Sequence, residues 1–130
     1  MPLTVTPLYL AATAVLMAVL STRVALLRGT HNVALGDGGV PNLFLAQRRF
    51  GNLAEYAAMA LLLLAVMELQ GVPAQWLHVY GASFVALRVA HPLALFLQMD
   101  APIWQKALRF LSAAGTALLL VIGAVAILAA

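Results

Sequence analysis

The sequence predicts an all-α fold, an integral membrane bundle of four helices, on three observations. Hydrophobic residues make up 65% of the 130 residues and charged ones 8%, whereas a soluble domain carries about a quarter charged residues. The apolar residues fall into four blocks, each close to the roughly 20 residues that cross a bilayer as a helix. Between the blocks lie short clusters of Gly, Pro and polar residues that break helices. One domain, residues 1–130, accommodates all four blocks and leaves no room for a second, soluble one. The absence of Cys excludes disulfides, thiolate nucleophiles and Cys-ligated metals, and three scattered His without Cys argue against zinc. No phosphate loop, catalytic serine triad or nucleic-acid motif is present.

The first block, Leu8 to Leu27, is apolar apart from a few hydroxyl residues and Arg23. It lacks a basic segment before it and a small-residue cleavage site after it, so it reads as a retained helix and not a cleaved signal. From Arg28 to Asn42, the dense set Gly29, GDGG (Gly36 to Gly39) and Pro41 marks a loop. A second helix is predicted over Leu43 to Gln70, a tight turn at GVP (Gly71 to Pro73), and a third helix over Ala74 to Leu97. QMDAP, Gln98 to Pro102, makes the next turn, with Asp100 as the expected N-cap and Pro102 in the first helical turn. The fourth helix runs on to about Leu128, and its stretch Leu111 to Ala130 is without charge. Gly115 and Gly123, eight residues apart and nearly in line, permit a close helix contact. Trp76, Tyr80 and Trp104, near helix starts, are expected at the membrane interface, and the Met residues as packing.

Charge position sets the orientation. Arg23, Arg28, Arg48 and Arg49 flank the first connection and Lys106 and Arg109 follow the third, while the second connection and both chain ends lack Lys and Arg. The positive-inside rule makes the first and third connections cytoplasmic and both termini periplasmic. The net charge of +3 is thus a topological signal and not a nucleic-acid one.

Within this greasy chain, polar residues cluster twice. In RRFGNLAEY, Arg48, Asn52 and Glu55 lie within about 60° of one another at 100° per residue and cover about 10 Å of helix axis. Ionised groups inside a membrane normally face protein or a wet cavity, so this face points either to a site or to a tie that pins helices together. In RVAHP, Arg88 and His91 share a helix face, and Pro92 removes the amide that would bond the carbonyl of Arg88. Both clusters sit towards the cytoplasmic ends of antiparallel neighbours, where they can line one cavity.

The pattern R-x3-N-x2-E-Y formed by Arg48, Asn52, Glu55 and Tyr56, at the cytoplasmic start of a second membrane helix, resembles the signature of the MAPEG family, the membrane-associated proteins of eicosanoid and glutathione metabolism. RVAH, followed ten residues after His91 by API (Ala101 to Ile103), is similar to the prostaglandin E synthase and microsomal glutathione transferase branch. GDGG, Glu68 and His78 resemble small bacterial inner-membrane members. The resemblance covers nearly the whole chain. It implies a homotrimer of four-helix subunits that binds glutathione between neighbours near the cytoplasmic face and works as a glutathione S-transferase, or a glutathione-dependent peroxidase, on lipophilic electrophiles.

The ligand chemistry fits independently. Glutathione offers two carboxylates, an ammonium and a thiol, which call for guanidinium groups and a carboxylate. Arg48 and Glu55 supply both signs, Asn52 suits the peptide groups, and Arg28 and Arg88 are candidates for the other carboxylate; the resemblance adds Tyr56, from the helix-two motif, and His91, which resembles the family's helix-three polar wall. Two positions depart from the prostaglandin synthase branch: Leu95 stands where a Tyr is expected and Trp104 where an Arg is. Thiolate stabilisation therefore falls to Arg109 or Tyr56, with Lys106 as a further candidate.

Two other functions fit the composition. A small proton-coupled multidrug transporter would use Glu55, but its lipophilic cation leaves Arg48 and Asn52 unexplained. A trimeric scaffold or silent glutathione binder would need no thiolate stabiliser. His31 is expected in solvent, and Glu68 and His78 in interhelical hydrogen bonds at the opposite face. A reporter fused after Ala130 is predicted to act as periplasmic and one placed in the GDGG loop as cytoplasmic; reversed signals would overturn the orientation.

Overall fold

The computed structural model describes residues 2–129, and among these it is all helix and connection. The elements are α1 (Thr6–His31), α2 (Pro41–Leu69), α3 (Ala74–Ala94) and α4 (Ile103–Ala129). At 1.5 Å per residue they run about 39, 44, 32 and 40 Å. Three of them, α1, α2 and α4, are long and apolar enough to cross a membrane. The third, α3, is nearly as long as a span and carries the buried polar residues Arg88 and His91. Thus all four expected helices form, and Ala130 lies outside the described residues.

Helix ends follow the local chemistry. Pro7 and Pro41 occupy the first turns of α1 and α2, where no amide needs an intrahelical partner. Asn32 closes α1 in the left-handed conformation (φ 54°), and the amide of Val33 reaches back to the Arg28 carbonyl at 3.0 Å, the usual C-terminal signature. This carries α1 four residues past the expected Leu27. Gly71 (φ 83°) turns the chain from α2 into α3.

Two further differences from expectation flank the third connection. The third helix stops at Ala94 instead of Leu97, two residues after Pro92, and Leu95 is extended (φ −73°, ψ 131°). The missing proline amide weakens the last turn, and Leu95 to Leu97 leave the helix altogether. At the other side of the turn, the first amides of α4, from Gln105 and Lys106, bond the Pro102 carbonyl. Pro102, and not Asp100, therefore sits at the cap.

Packing places α2 at the centre, against all three other helices, while α1 and α4 touch each other nowhere among the described residues. One apolar cluster joins Val5, Leu63, Leu64, Met67, Leu77 and Tyr80 near the α2–α3 turn, and a second joins Leu20, Leu53, Ala57, Ala60, Leu61 and Phe84 at mid-bundle. The outer faces of α1 and α4 stay apolar and exposed, as at Val15, Val19, Leu118 and Val125, which is the surface a lipid or a neighbouring copy covers. Glycines set the close approaches. A Cβ at Gly123 would sit 3.0 Å from the Tyr80 hydroxyl, and one at Gly115 would sit 3.0 Å from Leu87, so both expected glycine contacts form. A Cβ at Gly81 would overlap the Tyr9 ring, which fixes the α1–α3 crossing. Trp76 and Trp104 are exposed as interfacial residues should be, but Tyr80 is buried. The room left by Gly123 draws its ring inward.

Opposite the arginine-rich end, two hydrogen-bond sets bind α1. Glu68, buried at the end of α2, accepts the backbone amides of Thr4, Val5 and Thr6 and the Thr4 hydroxyl, with Val5 and Thr6 both at 2.7 Å. A carboxylate at a helix N-terminus satisfies amides that have no intrahelical acceptor and lies favourably against the helix dipole. His78 Nδ1 meets the Tyr9 hydroxyl at 2.9 Å. Both residues thus make interhelical bonds, to α1 and not to each other. Replacing Glu68 with Ala should cost about 2–3 kcal/mol, through the loss of a cap and of charge-assisted bonds, read as a lower melting temperature in detergent; an unchanged melting curve would count against this anchor.

Candidate functional site

At the end of the bundle where the arginines gather, α2 begins, α3 has just ended and α4 begins. Between them lies a cavity of about 300 Å³ lined by Phe44, Leu45, Arg48, Asn52, Leu95, Phe96, Leu97 and Arg109. Each element contributes a different chemistry. From α2, a single face presents Arg48 and Asn52 one turn apart, as its periodicity requires. The extended segment Leu95 to Leu97, freed from α3 by Pro92, supplies an apolar wall. Its carbonyl at Leu95 accepts from Arg49 at 3.5 Å. The first turns of α4 bring Arg109, whose guanidinium carbon stands 4.9 Å from the Phe96 ring centroid, a cation–π distance.

Glu55 lies at the rim. Arg48 Nη1 stands 3.6 Å from Glu55 Oε1, with the two side chains 47% and 54% exposed. So open a pair contributes little to stability, and both charges remain available to a ligand. The pair passes over Gly51, where a Cβ would meet Arg48 Nη1 at 3.7 Å and Glu55 Oε1 at 3.8 Å. Asn52 donates to the Arg48 carbonyl at 3.2 Å, which leaves its side-chain oxygen free to accept.

Behind the cavity the polar groups are buried. Arg88 is 2% exposed. Its Nη2 donates to the Ser112 carbonyl at 2.8 Å and to the Thr116 hydroxyl at 2.6 Å, and its guanidinium carbon stands 5.5 Å from the Tyr56 ring centroid. His91 is buried too, with Nδ1 unpartnered, and is within electrostatic reach of Arg88, Arg109 and Arg48.

The sequence-predicted residues therefore separate into three groups. Arg48, Asn52 and Arg109 share the cavity, with Glu55 at its edge. Arg88 and His91 are buried beneath, with the half-buried Tyr56 ring facing Arg88. Arg28 stands apart from both within this chain, donating to the carbonyls of Val33 at 3.4 Å and Ala34 at 3.0 Å at the end of its own helix. Leu95 does line the cavity, whereas Trp104 is exposed and Lys106 is not part of the lining. Sequence reasoning missed Phe44 and Phe96, and it missed Ser112 and Thr116. The last two carried a signal: they follow Arg109 at helical spacing on one face of an otherwise apolar helix.

Comparison with known proteins bears on this arrangement. A model of the MAPEG family matches residues 6–129. Two relatives, each named inner membrane protein YecN, from Escherichia coli strain K12 and Escherichia coli O6:H1, are 37% identical over 87 residues, which cover 67% of this chain and 66% of theirs. The match therefore spans just under two thirds of those relatives. No solved structure matches. With a family model that matches nearly every helical residue, and four helices arranged as a membrane bundle, the chain belongs to the MAPEG family.

Proposed function

We propose that this protein is an inner-membrane glutathione-binding protein that acts as a glutathione S-transferase on lipophilic electrophiles. The observation that carries the proposal is the convergence of Arg48, Asn52 and Arg109 on one cavity with Glu55 at its rim. Membership of a family that includes glutathione transferases, and relatives named as inner membrane proteins, support the reading. The residues fit the ligand. Arg48 faces a carboxylate, Glu55 the ammonium, and Asn52 the peptide groups between them. At about 300 Å³ the cavity is at the small end of the range for small-molecule sites. In a homotrimer, a neighbouring subunit would complete it and Arg28 would contribute across the interface. With the first and third connections cytoplasmic, the cavity opens on that side of the membrane.

A bound thiol becomes useful when it is held as thiolate, which a nearby cation favours. Of the two cations in the cavity, Arg48 faces a carboxylate, and Arg109 takes that role in place of the residues replaced by Leu95 and Trp104. The thiolate then attacks the electrophilic carbon, a C–S bond forms, and the leaving group departs with its electron pair. Electrophiles dissolved in the bilayer reach the site past the apolar wall of Phe44 and Leu95 to Leu97. Arg88 is fully covered and bonded to α4, so it is assigned no direct ligand contact.

Two outcomes test this. Arg48→Ala and Glu55→Gln should each weaken glutathione binding more than tenfold with assembly intact, because removing a charge-assisted hydrogen bond inside a site costs about 1.5–3 kcal/mol. Unchanged affinity by calorimetry in both variants would discard the site. Bound glutathione should also show thiolate absorbance near neutral pH, well below the free thiol pKa of about 8.5. That absorbance should fall in Arg109→Ala and persist in Lys106→Ala and Tyr56→Phe. A complex without thiolate below the pH at which free glutathione ionises would leave a glutathione binder without transferase chemistry.

A further inference from the structure

The fourth helix packs on α2 and α3 mainly through small and partly buried residues. Of its 27 residues only Ser112, Thr116 and Gly123 are buried, and most of its apolar side chains point outward. Apolar packing of that kind fixes the position of a helix but constrains its rotation weakly, since sliding one exposed apolar residue past another changes little buried area. Rotation matters here because Arg109 leaves α4 on the same face as Ser112 and Thr116, three and seven residues away. A turn of about 20° would carry a group at the helix surface, 5–6 Å from the axis, by about 2 Å.

Exposed bonds tie the two ends of α4, from Gln105 to the Leu93 carbonyl and from Gln70 to the Ile127 carbonyl, and one buried set next to Arg109 opposes such a turn. Arg88 Nη2 donates to both the Ser112 carbonyl and the Thr116 hydroxyl, and that hydroxyl donates in turn to the same carbonyl at 2.8 Å. The three groups close a triangle in which the Thr116 proton is committed to α4 and its lone pair to Arg88. On its other side the guanidinium faces the Tyr56 ring of α2. The four acidic residues of the chain lie elsewhere: Glu55 faces Arg48, Glu68 caps α1, and Asp37 and Asp100 are in connections. With no carboxylate partner, Arg88 depends on these acceptors.

We infer that Arg88 is a positioning residue: by binding Ser112 and Thr116 it sets the rotation of α4 that aims Arg109 into the cavity. This rests on the glutathione reading above for its consequence, since the group being aimed is the cation beside the sulfur. Small misplacements of such a group have large effects. The tripeptide itself is held from α2 by Arg48, Asn52 and Glu55, so loosening the triangle should alter the state of the sulfur and leave affinity nearly as it was.

Thr116 is the handle for the test, because it touches Arg88 and is outside the cavity. Glutathione affinity by calorimetry and the ultraviolet thiolate titration of the complex are measured in wild type, Thr116→Val, Thr116→Ser and Arg88→Lys. In Thr116→Val, the dissociation constant should stay within about threefold of wild type, and the apparent pKa of the bound thiol should rise by at least half a unit towards the free value. Thr116→Ser, which keeps the hydroxyl, should restore the wild-type titration. Arg88→Lys keeps the charge but loses the planar group that faces Tyr56 and carries Nη2 to Ser112 and Thr116, and should behave as Thr116→Val does; it also serves if the valine variant fails to assemble. Identical titrations in wild type, Thr116→Val and Arg88→Lys would overturn the inference, as would a serine variant that titrates like the valine one. A tenfold loss of affinity in Thr116→Val would overturn it by making this layer part of the ligand site. If wild type binds glutathione without forming thiolate, the positioning role falls and the binding reading stands; if wild type does not bind, both fall.

Discussion

A guanidinium buried in an apolar bundle has to find every partner on its neighbours, because no water is there to supply one. Arg88 meets this constraint through Nη2, while its buried Nε has no partner within the chain. Its acceptors are on α4 and its stacking partner is on α2, so one charge on α3 dictates how three helices meet. The same rule shapes the rest of the molecule. Glu68 draws the start of α1 to the end of α2, and Tyr9 reaches from α1 to His78. Apolar contact makes the bundle compact, and these few polar contacts choose which compact arrangement it adopts.

The cavity is a product of that arrangement combined with one local defect. Pro92 ends α3 early, and the freed segment Leu95 to Leu97 turns aside as an apolar wall facing Arg48, Asn52 and Arg109. Had α3 continued to Leu97, the helix would have occupied this volume with its own backbone. A polar floor and an apolar wall meet there at one edge, which is the pairing that the proposed glutathione chemistry calls for.

Much of this was legible in the sequence, and the limits have physical causes. Composition and breakers located all four helices, since a membrane permits few alternatives to a span. The face carrying Arg48, Asn52 and Glu55 was legible because helical period alone decides it. What the period does not encode is which helix lies opposite. Arg88 was therefore legible as a polar residue on a face with His91, while its bonds to Ser112 and Thr116 depended on α4 packing there. Tyr80 looked like an interfacial aromatic until the space left by Gly123, 43 residues on, drew it inward. The end of α3 was misplaced because a proline within a helix can bend it or stop it, and Leu95 to Leu97 are apolar enough to continue a span.

The bond set around Glu68 also orders the birth of the protein. The first amides of α1 find their acceptor on a residue that is made more than sixty positions later. At some 5–20 residues per second, α1 waits for seconds with an open N-terminus before α2 delivers its carboxylate. That carboxylate, in turn, is best sheltered once α1 stands beside it. Each helix completes the other, so the α1–α2 hairpin is the first pair whose polar ends can close during synthesis.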